Sequence, residues 1–582
     1  MKQSNYWSRR QVLRGAGIGL AGLAGAALLG CGDSEEAGGG TATVAPVDFT
    51  ATPPAPGETV KTGGTWKAFI NGDPPNLDSY TNSSLVTRGV GLYSYNRVMQ
   101  IPAEAGKNPF DVSPTGDLAE SVETADGLTW IVNLKKGVKM QNVPPLNGRE
   151  VTAEDVAYSF RRLKGPTSLF ASAVSHVDSV EVVDTHTLRF NHSAPNADFL
   201  DLMADGAVWV VMPVESDPDN GSFNPNEQLI GAGPWIFEDY EVGSVFKFRR
   251  NPDWHGAPLP YMDRVELYVI PEYTNQLAQF QAGALHTMVI QPADVLDLRK
   301  AQPDVQWYTG TAAGMWGIYF APVETSAGAL WQDDRFRRGM SMSINRGEFQ
   351  KFLYRHDELT AAGLPVVTRW NNLVSNGLGD RWWLDPQSAD QGPSAQYFEH
   401  NPAEARKMLD AVGAVDQDPI KFQYTDRYGA SFVAGMQALH GYFQEVGLNT
   451  TLEVQDYSSV YVSQTWQGRL DGFSVGAYGG FTSLSGYLSE MIGDNPANLR
   501  LLHTPDILDL LQRQARELDL EARVDLVHEL QRVNADHMYI IPTTGSGQAT
   551  YNAYRPEVRG GLRLTRGQGG AAEIWPQYWL DA

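Results

Sequence analysis

Residues 116–163 read GDLAESVETADGLTWIVNLKKGVKMQNVPPLNGREVTAEDVAYSFRRL, and this stretch decides the fold class. Leu128-Thr-Trp-Ile-Val-Asn-Leu134 alternates well enough for a strand, and Lys135-Lys136-Gly137 should end it. Thr152-Ala-Glu-Asp155 predicts a capped helix start, with Thr152 as N-cap and Asp155 answering from the third helical position. Val156, Phe160 and Leu163 then follow at helical spacing, so a strand, a loop and a capped helix form one compact α/β unit.

Further along, Ile420–Tyr424, Val433–Glu445 and Thr451–Val454 read as strand, helix and strand, the signature of a parallel βαβ crossover. Charges on the helices have plain structural roles. Asp519 and Arg523 are spaced to pair across one turn, as are Arg406 and Asp410, each pair contributing a few tenths of a kcal/mol. Glu154 and Asp155 favour a helix start through capping and the dipole.

The N-terminal region predicts an address. Ser8-Arg9-Arg10-Gln11-Val12-Leu13 precedes the uncharged, glycine- and alanine-rich stretch Gly15–Leu29, and Leu28-Leu29-Gly30-Cys31 closes it. A basic start, a short apolar core and a small residue before the cut describe an export signal, too short to span a bilayer comfortably. The first run resembles a twin-arginine export signal and the last a lipobox, which implies lipid attachment at Cys31. Residues 32–57 are poor in apolar surface and should form a flexible tether. Cys31 is the only cysteine of 582 residues, so no disulfide can form within the chain. A formal charge of −23 argues against nucleic acid as a partner. No later segment is long and apolar enough to span a membrane.

Taken as a pattern, 116–163 closely resembles the extracellular solute-binding proteins of family 5, the peptide/nickel/oligosaccharide-type binding proteins of ABC transporters. One departure is Lys139-Met140-Gln141-Asn142 and the prolines before Asn147-Gly148, where the family has a phe-his-asp-gly turn. Other blocks follow in the family's order: Asp73-Pro-Pro-Asn-Leu-Asp78, Gly231-Ala-Gly-Pro-Trp235, Arg250-Asn-Pro-Asp-Trp254 with Pro260-Tyr-Met-Asp263, Asp334-Arg-Phe-Arg-Arg338 with Ile344-Asn-Arg346, Pro402-Ala-Glu-Ala-Arg406, and Asp519 to Gln531. The resemblance implies an α/β, two-lobed periplasmic-binding-protein type II fold with an extra subdomain and a central ligand cleft. By block order, 58–84, 205–310 and 545–582 would form the core of lobe I, 85–204 its inserted subdomain, and 311–544 lobe II.

Enzyme motifs are scarce: no Gly-x-Ser-x-Gly, His-Glu-x-x-His or phosphate-loop pattern occurs outside the export signal. His528 and His537 have poor spacing for a metal site, so neither metal nor cofactor is expected, and the many paired carboxylates read as solvated surface. Fifteen tryptophans are more informative, because flat rings stack on sugars and clamp extended chains with little entropy lost. For Trp382, Trp383 and Trp575 a core role is the better reading. The ligand-contacting candidates that the resemblance implies are Asn71, Tyr80, Trp316, Tyr319, Arg427, Tyr478 and Phe481. Peptide binders of the family carry an aspartate for the ligand's α-ammonium where this chain aligns Gly480, with Ala477 replacing the motif's tryptophan. An unpaired buried ammonium would cost several kcal/mol, which favours an uncharged or ring-stacked solute, although Asp426 or Asp456 could substitute. Arg427 could anchor an acidic group or simply lie on the surface.

The expectation is therefore an exported lipoprotein on the outer face of the cytoplasmic membrane or in the periplasm. As a monomer it would capture an oligopeptide or oligosaccharide and deliver it to an ABC permease. A secreted glycosidase working through two carboxylates, or a surface sensor or adhesion module on the same fold, are the competing readings. Replacing Cys31 with Ala should move the protein from the membrane fraction to the soluble fraction on immunoblots; unchanged retention would defeat the lipid anchor.

Overall fold

The strand, loop and helix expected at 116–163 are all present. In the computed structural model, Thr129–Leu134 is a strand with alternating burial and Ala153–Lys164 is a helix. The structure describes residues 59–581 apart from 83, 103–109, 111, 169, 220, 323–325, 327, 462, 479–482, 493–504, 546–547 and 561–570. Cys31, the paired arginines, the tether, Gly480 and Phe481 lie outside the described residues. The Thr152 amide donates to the Asp155 carboxylate at 2.9 Å, as the capping pattern requires. Asp155 also receives both Arg149 guanidinium nitrogens, at 2.9 and 2.7 Å, a partner that the local pattern did not announce.

This unit builds an antiparallel sheet in the order Ala119–Thr124, Thr129–Leu134, Thr187–His192 and Val177–Asp184. The helix covers one face, where Phe160 meets Phe190 edge-on at 5.3 Å. A second sheet pairs Thr65–Ile70 in parallel with Arg264–Val269, followed by Val245–Arg250 and Trp235–Glu241. Both sheets share one apolar core, which includes Trp130, Phe199, Trp235 and Phe248. The turn at 139–142 that departs from the family pattern is tied into this core: the Gln141 amide donates to the Gly231 carbonyl at 2.8 Å, and its side chain to that of Trp235 at 2.8 Å.

A separate five-stranded sheet has the order Thr450–Val454, Ile420–Tyr424, Phe473–Tyr478, Met315–Phe320 and Ile541–Pro542. Ile420–Tyr424 and Thr450–Val454 are parallel and joined by the helix Ala430–Glu445, the expected βαβ crossover. The two central strands, Met315–Phe320 and Phe473–Tyr478, are buried on both faces and are correspondingly poor in charge, whereas the outer Ile420–Tyr424 and Thr450–Val454 carry Lys421 and Glu453. Ile318, Phe320, Phe473 and Val475 face one core, while Met315, Tyr319 and Tyr478 face another. A three-stranded sheet of Thr287–Ile290, Ala549–Tyr554 and Gln306–Thr311 has its own core and feeds the chain into the large sheet.

Two crossings connect these sheets, one at 312–314 and one that leaves the large sheet at 543–545 and reaches the other at 548. The Ala312 amide donates to the Gln548 carbonyl at 2.9 Å and the Thr543 amide to the Trp316 carbonyl at 2.9 Å, so the crossings run side by side. Trp316 lies flat enough against Gly545 that a Cβ there would sit 1.8 Å from its Cε3, which only glycine avoids.

Two expected helix pairs are not formed. Asp519 instead caps the helix Leu520–His537, accepting from the Ala522 amide at 2.9 Å, and Arg523 pairs with Asp198 far along the chain. Arg406 approaches Asp416, at 3.9 Å, rather than Asp410. In both cases a partner off the helix outcompetes the weak pair across one turn. Trp382 and Trp383 are buried as expected, and Trp575 stacks on Tyr93 at 4.4 Å.

Arg346 is a buried clamp behind the second crossing. Its guanidinium donates to the carbonyls of Phe398 at 2.6 Å and Pro542 at 3.1 Å, and to the Ser341 hydroxyl at 2.8 Å. Burial pulls its pKa down to about 9. Arg346→Ala would strand these acceptors and should lower the unfolding free energy by about 3 kcal/mol or more, measured by urea denaturation.

Candidate functional site

Open α/β sheets bind ligands outside the carboxyl ends of their strands, where the strand order switches direction. In the five-stranded sheet that point lies between Ile420–Tyr424 and Phe473–Tyr478, which are parallel neighbours. Tyr478, at the carboxyl end of its strand, pairs with Met315 at the start of the strand leaving the first crossing. The binding edge of the sheet is therefore also the edge at which the chain crosses between sheets.

Rings are strung along this edge. Trp316 meets Phe432 edge-on at 4.8 Å, and Phe432 meets Tyr428 at 5.1 Å. Tyr428 then contacts Tyr457 at 5.8 Å and Tyr461 at 6.0 Å. Trp466 continues the series to Tyr461 at 6.1 Å, Tyr478 at 5.2 Å and Tyr319 at 5.9 Å. Tyr457–Tyr461 is a short π-helical turn, a backbone form frequent at functional sites. Edge-to-face and tilted pairs of this kind hold each ring in place, leaving outer faces available for stacking.

Exposure separates the rings into two groups. Tyr428 is 38% exposed, and Trp316, Tyr457 and Trp466 are half-buried, so these can meet a solute. Tyr461, Tyr319 and Tyr478 are enclosed; the Tyr461 hydroxyl donates to the Val475 carbonyl at 2.7 Å, and burial holds its pKa well above the usual phenol value.

The expected contact residues fall in several places. Tyr319 and Tyr478 share one face of the sheet, while Trp316 lies on the other, joined to them only through the rings that wrap the edge. Arg427 is exposed in the loop after Ile420–Tyr424, just before Gly429 at the start of the helix Ala430–Glu445, and makes no ion pair among the described residues. Asn71 is exposed directly after Thr65–Ile70, where its side-chain oxygen accepts from Gln276 at 3.1 Å. Tyr80 is 1% exposed inside the first core, its hydroxyl donating to the Val210 carbonyl at 2.5 Å. Its surroundings are those of a packing residue.

Tyr428, Tyr457 and Trp466 were not among the expected contacts. The signal for them was present: once 420–454 is read as βαβ, the segments following its two strands are the binding edge. Of the acids considered as ammonium partners, Asp456 is occupied by the Ser459 amide at 2.9 Å and hydroxyl at 2.5 Å, while Asp426 is exposed. Among the described residues no group of three or more His, Cys, Asp or Glu side chains is arranged to hold a metal ion.

Comparison with known proteins bears on the family and the fold. The family model for bacterial extracellular solute-binding proteins, family 5 (middle region) matches residues 113–498. The chain belongs to that family. It is 22% identical over 508 residues to the probable ABC transporter periplasmic-binding protein SapA of Escherichia coli K12, covering 83% of this chain and 86% of that one. The structure of the ABC transporter substrate-binding protein CtaP from Listeria monocytogenes matches with a TM-score of 0.72 at 19% identity, over 90% of this chain and 100% of that one. The oligopeptide-binding protein AppA of Bacillus subtilis, in complex with a nonapeptide, matches with a TM-score of 0.69 at 17% identity, over 90% and 100%. At such identities the structures establish the two-lobed periplasmic-binding-protein type II fold.

For this family 5 protein the two groups of rings should respond differently to truncation. Tyr428→Ala should weaken solute binding about tenfold in a titration, while changing the unfolding free energy by no more than about 0.5 kcal/mol. Tyr478→Ala, at a position 3% exposed, should cost about 3–5 kcal/mol of stability by denaturant unfolding.

Proposed function

We propose that this protein captures an extended solute of the oligopeptide or oligosaccharide class at the aromatic edge of its larger sheet and delivers it to an ABC permease. The observation that carries the reading is the line of rings Trp316, Tyr428, Tyr457 and Trp466, running along the strand ends beside both crossings. Such rings give stacking area at little cost in side-chain entropy and tolerate different residues or sugars in register. Asn71, after the first strand of the other lobe, supplies a polar contact, and Arg427 is available to an acidic group. The peptide carried by AppA and the transport role in SapA's name support this class of cargo.

Binding proceeds without bond cleavage, by closing the lobes over the solute. Anchoring through lipid on Cys31, with export by the twin-arginine route, would keep the binding body near its permease on a tether of residues 32–57. The aligned Gly480 supports a solute not held by an α-ammonium.

Mass spectrometry of protein purified from rich medium tests the reading, first native and then denatured. The expected result is a peptide or oligosaccharide released in near-stoichiometric amount. A sample that carries no solute, and whose melting temperature neither peptide nor sugar libraries raise, would contradict it.

A further inference from the structure

The two separately packed bodies also touch along a seam outside the crossings. Asp198 follows the inserted sheet and precedes Phe199, a member of the first core. Arg523 lies on the helix Leu520–His537, whose Val527 and Leu530 belong to a core of the other lobe. Their side chains pair at 2.6 Å with both only 6% exposed. The Ser485 amide donates to the second Asp198 oxygen at 2.9 Å. Arg523 also donates to Gln514 at 3.3 Å and to the Ser485 hydroxyl at 3.2 Å, and lies over the Trp382 ring at 5.3 Å. Nearby, the Ala197 amide donates to the Ala515 carbonyl at 2.9 Å, a backbone bond between the same two bodies. Phe110 enters the core of the second body, where its carbonyl accepts from Trp382 Nε1 at 3.3 Å.

Local structure does not explain this arrangement. Asp198 stands at the N-cap of the short helix Phe199–Ala204, yet its carboxylate makes no cap hydrogen bond there. Both of its oxygens are turned across the seam instead. Burial pushes the Asp198 carboxyl pKa up, but Arg523 and the two Ser485 contacts outweigh it and hold the group below the usual carboxylate range.

A seam of this composition can open. Interfaces between domains that move are polar, and separation returns a charged pair to water, so pairing and hydration nearly balance. Removing one partner is different. The remaining charge is then buried alone in the closed arrangement but hydrated in the open one, so only the closed arrangement is penalised.

We infer that Asp198 and Arg523 form a closure latch: positioning residues that touch no solute but set the closed population, and with it the apparent affinity. The inference rests on the two-lobed fold and not on the class of solute.

Hydrogen exchange on the ligand-free protein reads the latch directly, because the Ala197 and Ser485 amides are themselves interlobe donors. In Arg523→Gln these two amides should exchange about a hundredfold faster, with no change in the 473–478 strand. The radius of gyration from solution scattering should increase. Asp198→Asn should do the same, and carries the measurement if Arg523→Gln does not fold. In the double variant Asp198→Asn/Arg523→Gln no lone charge is buried, so protection should return toward that of the unaltered protein. Unchanged exchange at Ala197 and Ser485 in both single variants would overturn the latch. So would faster exchange of equal size throughout the 473–478 strand, which would mark the pair as part of fold stability.

Discussion

The hydrogen bond from the Thr543 amide to the Trp316 carbonyl joins the two crossings at the point where they enter the large sheet. Gly545 and Gly435 both pack against the Trp316 ring, so the ring is a wedge that contacts the second crossing and the helix Ala430–Glu445. This wedge fixes which end of the sheet faces the other lobe. Because Tyr478 pairs with Met315 beside it, the carboxyl ends of the parallel strands must also lie at that edge. The proposed binding edge and the crossings therefore coincide through strand register, and the ring cluster takes its place from the same register.

Closure then has a geometric logic. The crossings are short and tied to one another, so the proposed closure of the lobes would pivot there. The Asp198–Arg523 seam lies outside the crossings, and its charged character suits a surface that must be stable both covered and wet.

Much of the fold was legible from local chemistry. Alternation at 129–134, the Asp155 cap and the βαβ pattern over 420–454 each depend on neighbours within a few residues, and each is present. What local pattern could not supply was parity and distance. Trp316 and Tyr319 look like equal candidates in sequence, but their odd spacing in one strand puts them on opposite faces, and only Trp316 stays partly open at the edge. Arg523 looks like an intrahelical partner for Asp519 until the fold delivers Asp198, a buried carboxylate that needs a counter-charge, from 325 positions away. Tyr428 carries no motif; it stands out only through the position of its loop at the strand end, where its ring is 38% exposed.

The central claim is that solute lies on the aromatic edge beside the crossings. A crystal structure of the solute-loaded protein tests it most directly. Solute atoms are expected in van der Waals contact, within about 4 Å, with the rings of Tyr428, Tyr457 and Trp466. A solute bound elsewhere, with those rings still open to solvent, would contradict it.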